Sequence, residues 1–310
     1  ISIYGGFAGT ETSASQRDFR TNETILSGDL NGDDGPNWAN NSDNVYHVIT
    51  AAGTSPSTTL DGVTVTGGNT TGAAVLSGAG LLAEYAGATL ANCTFAKNHA
   101  AWSGGGALFS GGAVRIFNCR FLSNASDMGG GGLHISGGTA EIANCLFVNN
   151  AAGQSYGGAL YTDSSAVRDV VNCTLYGNTS GQYGGAFGVH GPNARIHNCV
   201  LWNNSAPTAS QIYDGTGALV VSYSCVQGGW SGTGNITSDP LFVNPAGADG
   251  VLGTLDDDFN LQPTSPCIDA GNNGALPADV ADLDGDGNTT EGMPLDLAGL
   301  PTETRDGHVR

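Results

Sequence analysis

Apolar and polar residues alternate in short runs along most of this chain, and Gly, Asn or Ser interrupts the alternation every few positions. No stretch keeps apolar residues at i, i+3, i+4 and i+7 for three turns, so the pattern predicts strands rather than helices. The runs recur. Asn92-Cys93-Thr94-Phe95 returns as Asn118-Cys119-Arg120-Phe121, Asn144-Cys145-Leu146-Phe147, Asn172-Cys173-Thr174-Leu175 and Asn198-Cys199-Val200-Leu201. An aliphatic residue stands three places before each cysteine (Leu90, Ile116, Ile142, Val170, Ile196), and a second asparagine follows (Asn98, Asn124, Asn150, Asn178, Asn204). About twelve residues after the cysteine comes a glycine pair: Gly105-Gly106, Gly131-Gly132, Gly157-Gly158 and Gly184-Gly185.

Cys93, Cys119, Cys145, Cys173, Cys199 and Cys225 are spaced by 26, 26, 28, 26 and 26 residues. A period of this length marks a solenoid. Three short strands fit in each repeat, which predicts an all-β parallel β-helix whose coils advance ~4.8 Å each. Cysteine and Phe/Leu, two places apart, then point inward, and both sets of asparagines sit at corners, where Asn tolerates left-handed backbone. Val63-Thr64-Val65 continues the series backwards, and Ile1–Phe7 and Thr24–Ser27 read as strands of a still earlier coil. About eight coils result. The predicted organisation is a parallel β-helix over 1–238, irregular over 1–62, followed by an acidic C-terminal coil or cap with loops over 239–310.

Charge changes the picture mainly by where it lies. The formal net charge is −19, yet residues 45–238 hold seven acids against five bases, while 239–310 hold fourteen against two. A near-neutral body with a single lysine has no basic patch for nucleic acid. No apolar run is long enough to span a bilayer. Residue 1 opens inside a strand-like run, so the chain is read as a piece of something longer, and a missing signal segment carries no weight. Low lysine and abundant Asn, Thr, Ser and Gly suggest a secreted or surface protein. The periodic cysteines are expected to be buried, reduced and inert, with Cys267 outside the column and partly exposed.

Candidate chemistry is sparse. Thr89, Arg115, Glu141, Asp169 and Arg195 lie four places before successive cysteines, as an outward column. Opposite charges on neighbouring strands favour an ion ladder, whereas a polysaccharide lyase or glycoside hydrolase would draw on Arg115, Glu141, Arg168 and Asp169. The 28-residue step, carrying Asp163, Arg168 and Asp169, is the first place to look for a site on the body. His134, His190 and His197 read as surface or corner histidines. Asp282, Asp284, Asp286, Asn288 and Glu291 match the first half of an EF-hand-type Ca²⁺ loop, without the Glu expected at its twelfth position. Asp29, Asn31, Asp33, Asp249, Asp256 and Asp258 are weaker calcium candidates. Phe109, Ile135 and Tyr161 suggest one more column, with Trp102, Tyr156 and Tyr183 near the glycine corners; outward, these rings suit sugar or protein, and inward they are core.

Gly-Gly-Ala-Leu at 105–108 and 157–160, with Phe-x-x-Asn at 95–98, 121–124 and 147–150, resembles the repeats of polymorphic outer membrane proteins, within the pectate-lyase-like right-handed β-helix proteins of bacterial surfaces. Asp239-Pro-Leu-Phe through Ile268-Asp269-Ala-Gly resembles the tail common after such helices. The resemblance implies a right-handed coil, an extracellular or cell-surface bacterial location and an adhesive role. Leu175 and Leu201 depart from its Phe, and no membrane barrel is present in the sequence. The leading expectation is a non-catalytic surface or adhesion module stabilised by Ca²⁺, with carbohydrate or a surface protein as partner. The alternatives are the lyase or hydrolase, and a structural spacer within a giant surface protein.

Overall fold

The computed structural model describes residues 1–55, 57–163 and 168–275. The chain is an all-β parallel solenoid. Two long sheets have eight strands each: sheet A, from Ser2–Tyr4 to Val220–Ser222, and sheet B, from Ile25–Ser27 to Cys225–Val226. Sheet C has seven, from Ile49–Ala52 to Ile212–Asp214, and a short sheet D has four two-residue strands between His99–Ala100 and Thr179–Ser180. About six turns are regular, and the strands of the less regular first and last turns bring sheets A and B to eight. Within one turn the order is C, A, B, D: Ala107–Ser110, Ala113–Phe117, Arg120–Leu122, Ala125–Ser126.

Like meets like from coil to coil. Ile116 pairs with Leu90 and Ile142, and Phe121 with Phe95 and Phe147. The three phenyl rings stack at 5.1 and 4.7 Å with planes within 8°. These columns form one continuous core that also holds Cys93, Cys119, Cys145, Cys173 and Cys199. Their thiols are free, and burial pushes those of Cys93 and Cys119 well up.

The two asparagine sets do different work. Asn92, Asn118, Asn144, Asn172 and Asn198 adopt left-handed backbone, φ 51 to 55°, and turn the chain from A into B. The second set does not turn the chain itself. There the left-handed residue is the one before it: Lys97, Ser123, Asn149, Gly177 or Asn203. The asparagine then points inward as a ladder. Asn124 Nδ2 donates to Asn150 Oδ1 at 3.0 Å and to Phe95 O at 2.8 Å, while its own Oδ1 accepts from Asn98 N and Nδ2. The ladder continues through Asn178 and Asn204 and ends on Gln211, whose Oε1 accepts from Asn204 Nδ2 at 2.7 Å.

Register corrects the glycine reading. Gly106 lies level with Gly132, but Leu133 lies level with Leu160, which places Ala159, not Gly158, beside Gly132. The motif is therefore a triplet of small residues. Its first member is left-handed, φ 61 to 68° at Gly104, Gly130, Gly157 and Gly184. A Cβ on its second member would meet backbone at 2.1 Å at Gly105 and 2.3 Å at Gly131, so only glycine fits.

The 28-residue step is likewise not one bulge. One extra residue falls between Ala151 and Leu160, and another between Leu160 and Arg168, by comparison with the preceding coil. The second insertion lies outside the described residues.

From 239 the chain leaves the solenoid and folds back along the outside of sheet B. An antiparallel pair, Phe242–Asn244 and Asp258–Leu261, seats Phe242 and Phe259 on Leu122, Leu146, Val148 and Val200. Gly253 O accepts from Ser123 Oγ, and Asn272 N donates to Asn198 Oδ1, so the segment spans several coils. This cover explains why sheet B turns Leu122, Leu146, Val148 and Val200 outward as well as Phe121 and Phe147 inward. It also overturns the expectation for Cys267, which is 2% exposed. Among the described residues no helix is long and apolar enough to cross a membrane.

Candidate functional site

Sheet A carries the predicted charge column in register: Thr89, Arg115, Glu141, Asp169, Arg195. Arg195 binds Asp169 through two bonds of 2.6 and 2.9 Å, and Arg115 Nε lies 3.5 Å from Glu141 Oε2. Burial pushes the Glu141 carboxyl up, and the Arg115 guanidinium opposes that shift. The backbone of Arg168 pairs with Ala140 and Ala194, one register place from the row that holds the other three candidates. Each of Arg115 and Arg195 is matched by a carboxylate one coil away.

The acidic candidates separate. Asp29 and Asp33 come together with Asp43, a residue the sequence reading missed, with carboxylate oxygens within 4.8 Å of one another. Asp29 also accepts backbone N–H bonds from Gly32, Asp33 and Asp34; such bonds, that from Asp34 foremost, hold its carboxyl below the usual range. Asn31 contributes its backbone N–H to Asp43 rather than a side-chain oxygen. The signal for Asp43 was unreadable in a spacing of ten to fourteen residues, because two short 3₁₀ turns fold it back. Asp249, Asp256 and Asp258 do not converge. Asp256 accepts from Ala248 N and Asp249 N and so ties that turn to its own segment, while Asp249 accepts from Val251 N and Asp258 from Asn260 N, each holding its own turn. Asp282, Asp284, Asp286, Asn288 and Glu291 lie outside the described residues.

Sheet C resolves the parity of the aromatics. Phe109 and Ile135 point inward, level with Thr162. Tyr161 is level with His134 instead and points outward. The outward column runs Leu82, Leu108, His134, Tyr161, Gly188, Tyr213. Beside it, at the glycine corner, run Ser103 and Gly129, then Tyr156, Tyr183 and Thr208. Each glycine in one column admits a ring from the other: a Cβ at Gly129 would meet Tyr161 at 3.2 Å, and one at Gly188 would meet Tyr156 at 2.8 Å. The result is a continuous aromatic row across sheet C. Ring centroids are 4.7 Å apart for His134 and Tyr161, 5.5 Å for Tyr161 and Tyr156, 5.2 Å for Tyr156 and Tyr183, and 4.6 Å for Tyr183 and Tyr213. His190 meets Tyr156 edge-on at 4.3 Å.

The first three of these contacts stack within 27° of parallel, and Tyr183 and Tyr213 meet at a tilt of 37°. Ring faces are thus used largely on one another, which leaves edges and phenolic hydroxyls for a ligand. Burial pushes Tyr156 up and Tyr161 up to about 12, so both hydroxyls stay protonated donors. At one end His134 Nδ1 bonds Ser103 Oγ at 2.8 Å, and Nε2 faces Asp163 Oδ2 at 3.3 Å. Ser103 is only 4% exposed, which removes it from reach of a large substrate; the trio fixes the imidazole under the row. Trp102, 54% exposed, flanks the same end.

A family model described as right handed beta helix region matches residues 39–201. No curated protein and no solved structure was found to match the chain.

Proposed function

The chain belongs to the right-handed β-helix family, and from that premise we propose that it is a non-catalytic, secreted or cell-surface binding module whose aromatic row on sheet C engages a neutral glycan. The observation that carries this reading is the run of four outward rings, Tyr161, Tyr156, Tyr183 and Tyr213, laid across successive coils and seated at one end on the buried His134. Rings repeating at 4.6 to 5.5 Å, near the coil spacing, suit an extended chain of sugar hydroxyls, each phenol serving as both donor and acceptor. A row with few charges favours a neutral ligand. On sheet A, the pairing of Arg115 with Glu141 and of Arg195 with Asp169 supports a scaffold role for that face.

Calcium is the second part of the reading. Asp29, Asp33 and Asp43 gather three carboxylates that no Lys or Arg pairs with among the described residues, and Ca²⁺ takes such oxygens. It would tie the irregular first coil together.

The test is a glycan-binding screen, scored for affinity and for chain cleavage, on the wild type and on a Tyr156→Ala, Tyr183→Ala double variant. Binding of a neutral polysaccharide that the double variant loses is the expected result. Cleavage of any polysaccharide that Arg115→Ala abolishes refutes the non-catalytic reading, and binding of a protein partner alone refutes the glycan.

A further inference from the structure

Cys225 sits on the 26-residue ruler but not in the cysteine column. Register places it level with Val200, not Cys199. The column position in the last coil belongs to Ser224. Cys199 N donates to Ser224 Oγ at 3.1 Å, as Cys173 N does to Cys199 Sγ at 3.3 Å, and Ser224 Oγ donates to Ser222 O as each column thiol does to the carbonyl two residues back. The final step from coil to coil is 25 residues along sheet B, so the equal spacing of the sixth cysteine is a coincidence of numbering.

One place of slip reverses parity. Cys225 therefore faces out of the solenoid, into the apolar layer under the returning segment, together with Phe242, Phe259 and Cys267. There its Sγ donates to Ser238 O at 3.2 Å, and it shares the buried layer with Cys267, the one cysteine that follows the solenoid and the first influence pushing the Cys225 thiol up. Ser265 Oγ positions the second thiol's backbone by accepting from Cys267 N at 3.1 Å. Five thiols thus stack along the core, while these two, from segments forty-two residues apart, lie in one buried cluster at the seam between the last coil and its cover.

We propose that Cys225 and Cys267 are a disulfide-forming pair that fastens the C-terminal segment to the last coil. The oxidant is a disulfide, low-molecular-weight or protein-borne. One of the two thiolates attacks it and releases one thiol, and the other then displaces the second thiol from the mixed disulfide. Two cysteine thiols are oxidised, one disulfide is reduced to two thiols, and the two protons pass to the thiols released. Both sulfurs are buried, so the exchange happens before the segment docks or when it lifts away.

The full chain is equilibrated in a buffer of oxidised and reduced glutathione, alkylated, digested without reduction and mapped by mass spectrometry. The expected result is a linked peptide pair holding Cys225 and Cys267, with five of the seven cysteines still titrating as thiols after denaturation. Oxidation should raise Tm by roughly 5–10 °C. That gain should vanish in Cys225→Ser and in Cys267→Ala, and persist in Cys119→Ser. Seven free thiols at equilibrium, or a link that includes a column cysteine, overturns the proposal, and neither measurement depends on the variants folding.

Discussion

Lys97 and Asn98 are neighbours whose replacement by small residues should have unlike effects. Asn98 makes four side-chain bonds. Its Nδ2 donates to Val65 O, Ala96 O and Asn124 Oδ1, and its Oδ1 accepts from Gly68 N at 3.0 Å. Nδ2 has two hydrogens to share among its three acceptors, so at a net ~1 kcal/mol for each of about three bonds Asn98→Ala should cost about 3 kcal/mol, with the buried Gly68 N–H left unmatched as the largest part. Lys97 is exposed with φ 53°. Glycine there relieves a left-handed strain of about 1 kcal/mol and adds about as much chain entropy to the unfolded state. Lys97→Gly should fall within ~1 kcal/mol of the wild type, as Gly177 in the same register place suggests. Urea unfolding followed by circular dichroism gives both numbers from the midpoint at constant m, and amide exchange at Gly68 reports the local loss. The reasoning fails if Asn98→Ala costs less than about 1 kcal/mol, or if Lys97→Gly is the costlier change.

Tyr156→Phe keeps the ring stack and removes one hydroxyl; if edges recognise the ligand, glycan affinity should drop roughly fivefold, the equivalent of one hydrogen bond, whereas recognition through ring faces would leave it unchanged in a titration. Chelation of Ca²⁺ should lower Tm in the wild type and leave an Asp29→Asn, Asp43→Asn variant unaffected; equal melting with and without chelator counts against the ion. Tyr161 ionises later in the folded chain, near 12, than in the unfolded one, so its contribution is whole below pH 10 and lost between pH 10 and 12; absorbance titration of Tyr161→Phe should lack that late component. Asp169→Asn breaks an exposed pair with Arg195 and should cost at most ~1 kcal/mol, shrinking further in high salt.

The regular coils were legible because each position repeats every 26 residues with the same burial. Ile116 and Phe121 declare their columns through Leu90, Ile142, Phe95 and Phe147. Reading failed where one residue was gained or lost. Tyr161 was grouped with Phe109 and Ile135, and Cys225 with Cys199, because counting along the chain ignores a single insertion that strand pairing registers. The aromatic row was hidden for a further reason. It joins two columns through Gly129 and Gly188, and an absent side chain gives no sign of which ring will cover it. The acidic trio needed Asp43, brought in by a fold of the first coil that no repeat predicts.

Gln211 closes the asparagine ladder, and its place there bears on how such a molecule changes size. Every rung from Asn98 to Asn204 binds a copy of itself, so no rung encodes its own number in the series. Excising residues 107–132 would join Gly106 to Leu133, the same junction that Gly132 already makes. Insertion of a coil would leave the ladder equally unchanged. Within the ladder, length is thus a tally kept by its two ends, and unequal recombination between repeats can lengthen or shorten it without inventing a new contact inside it, while the returning segment, tied to Ser123 through Gly253 O, is what a change in coil number would displace.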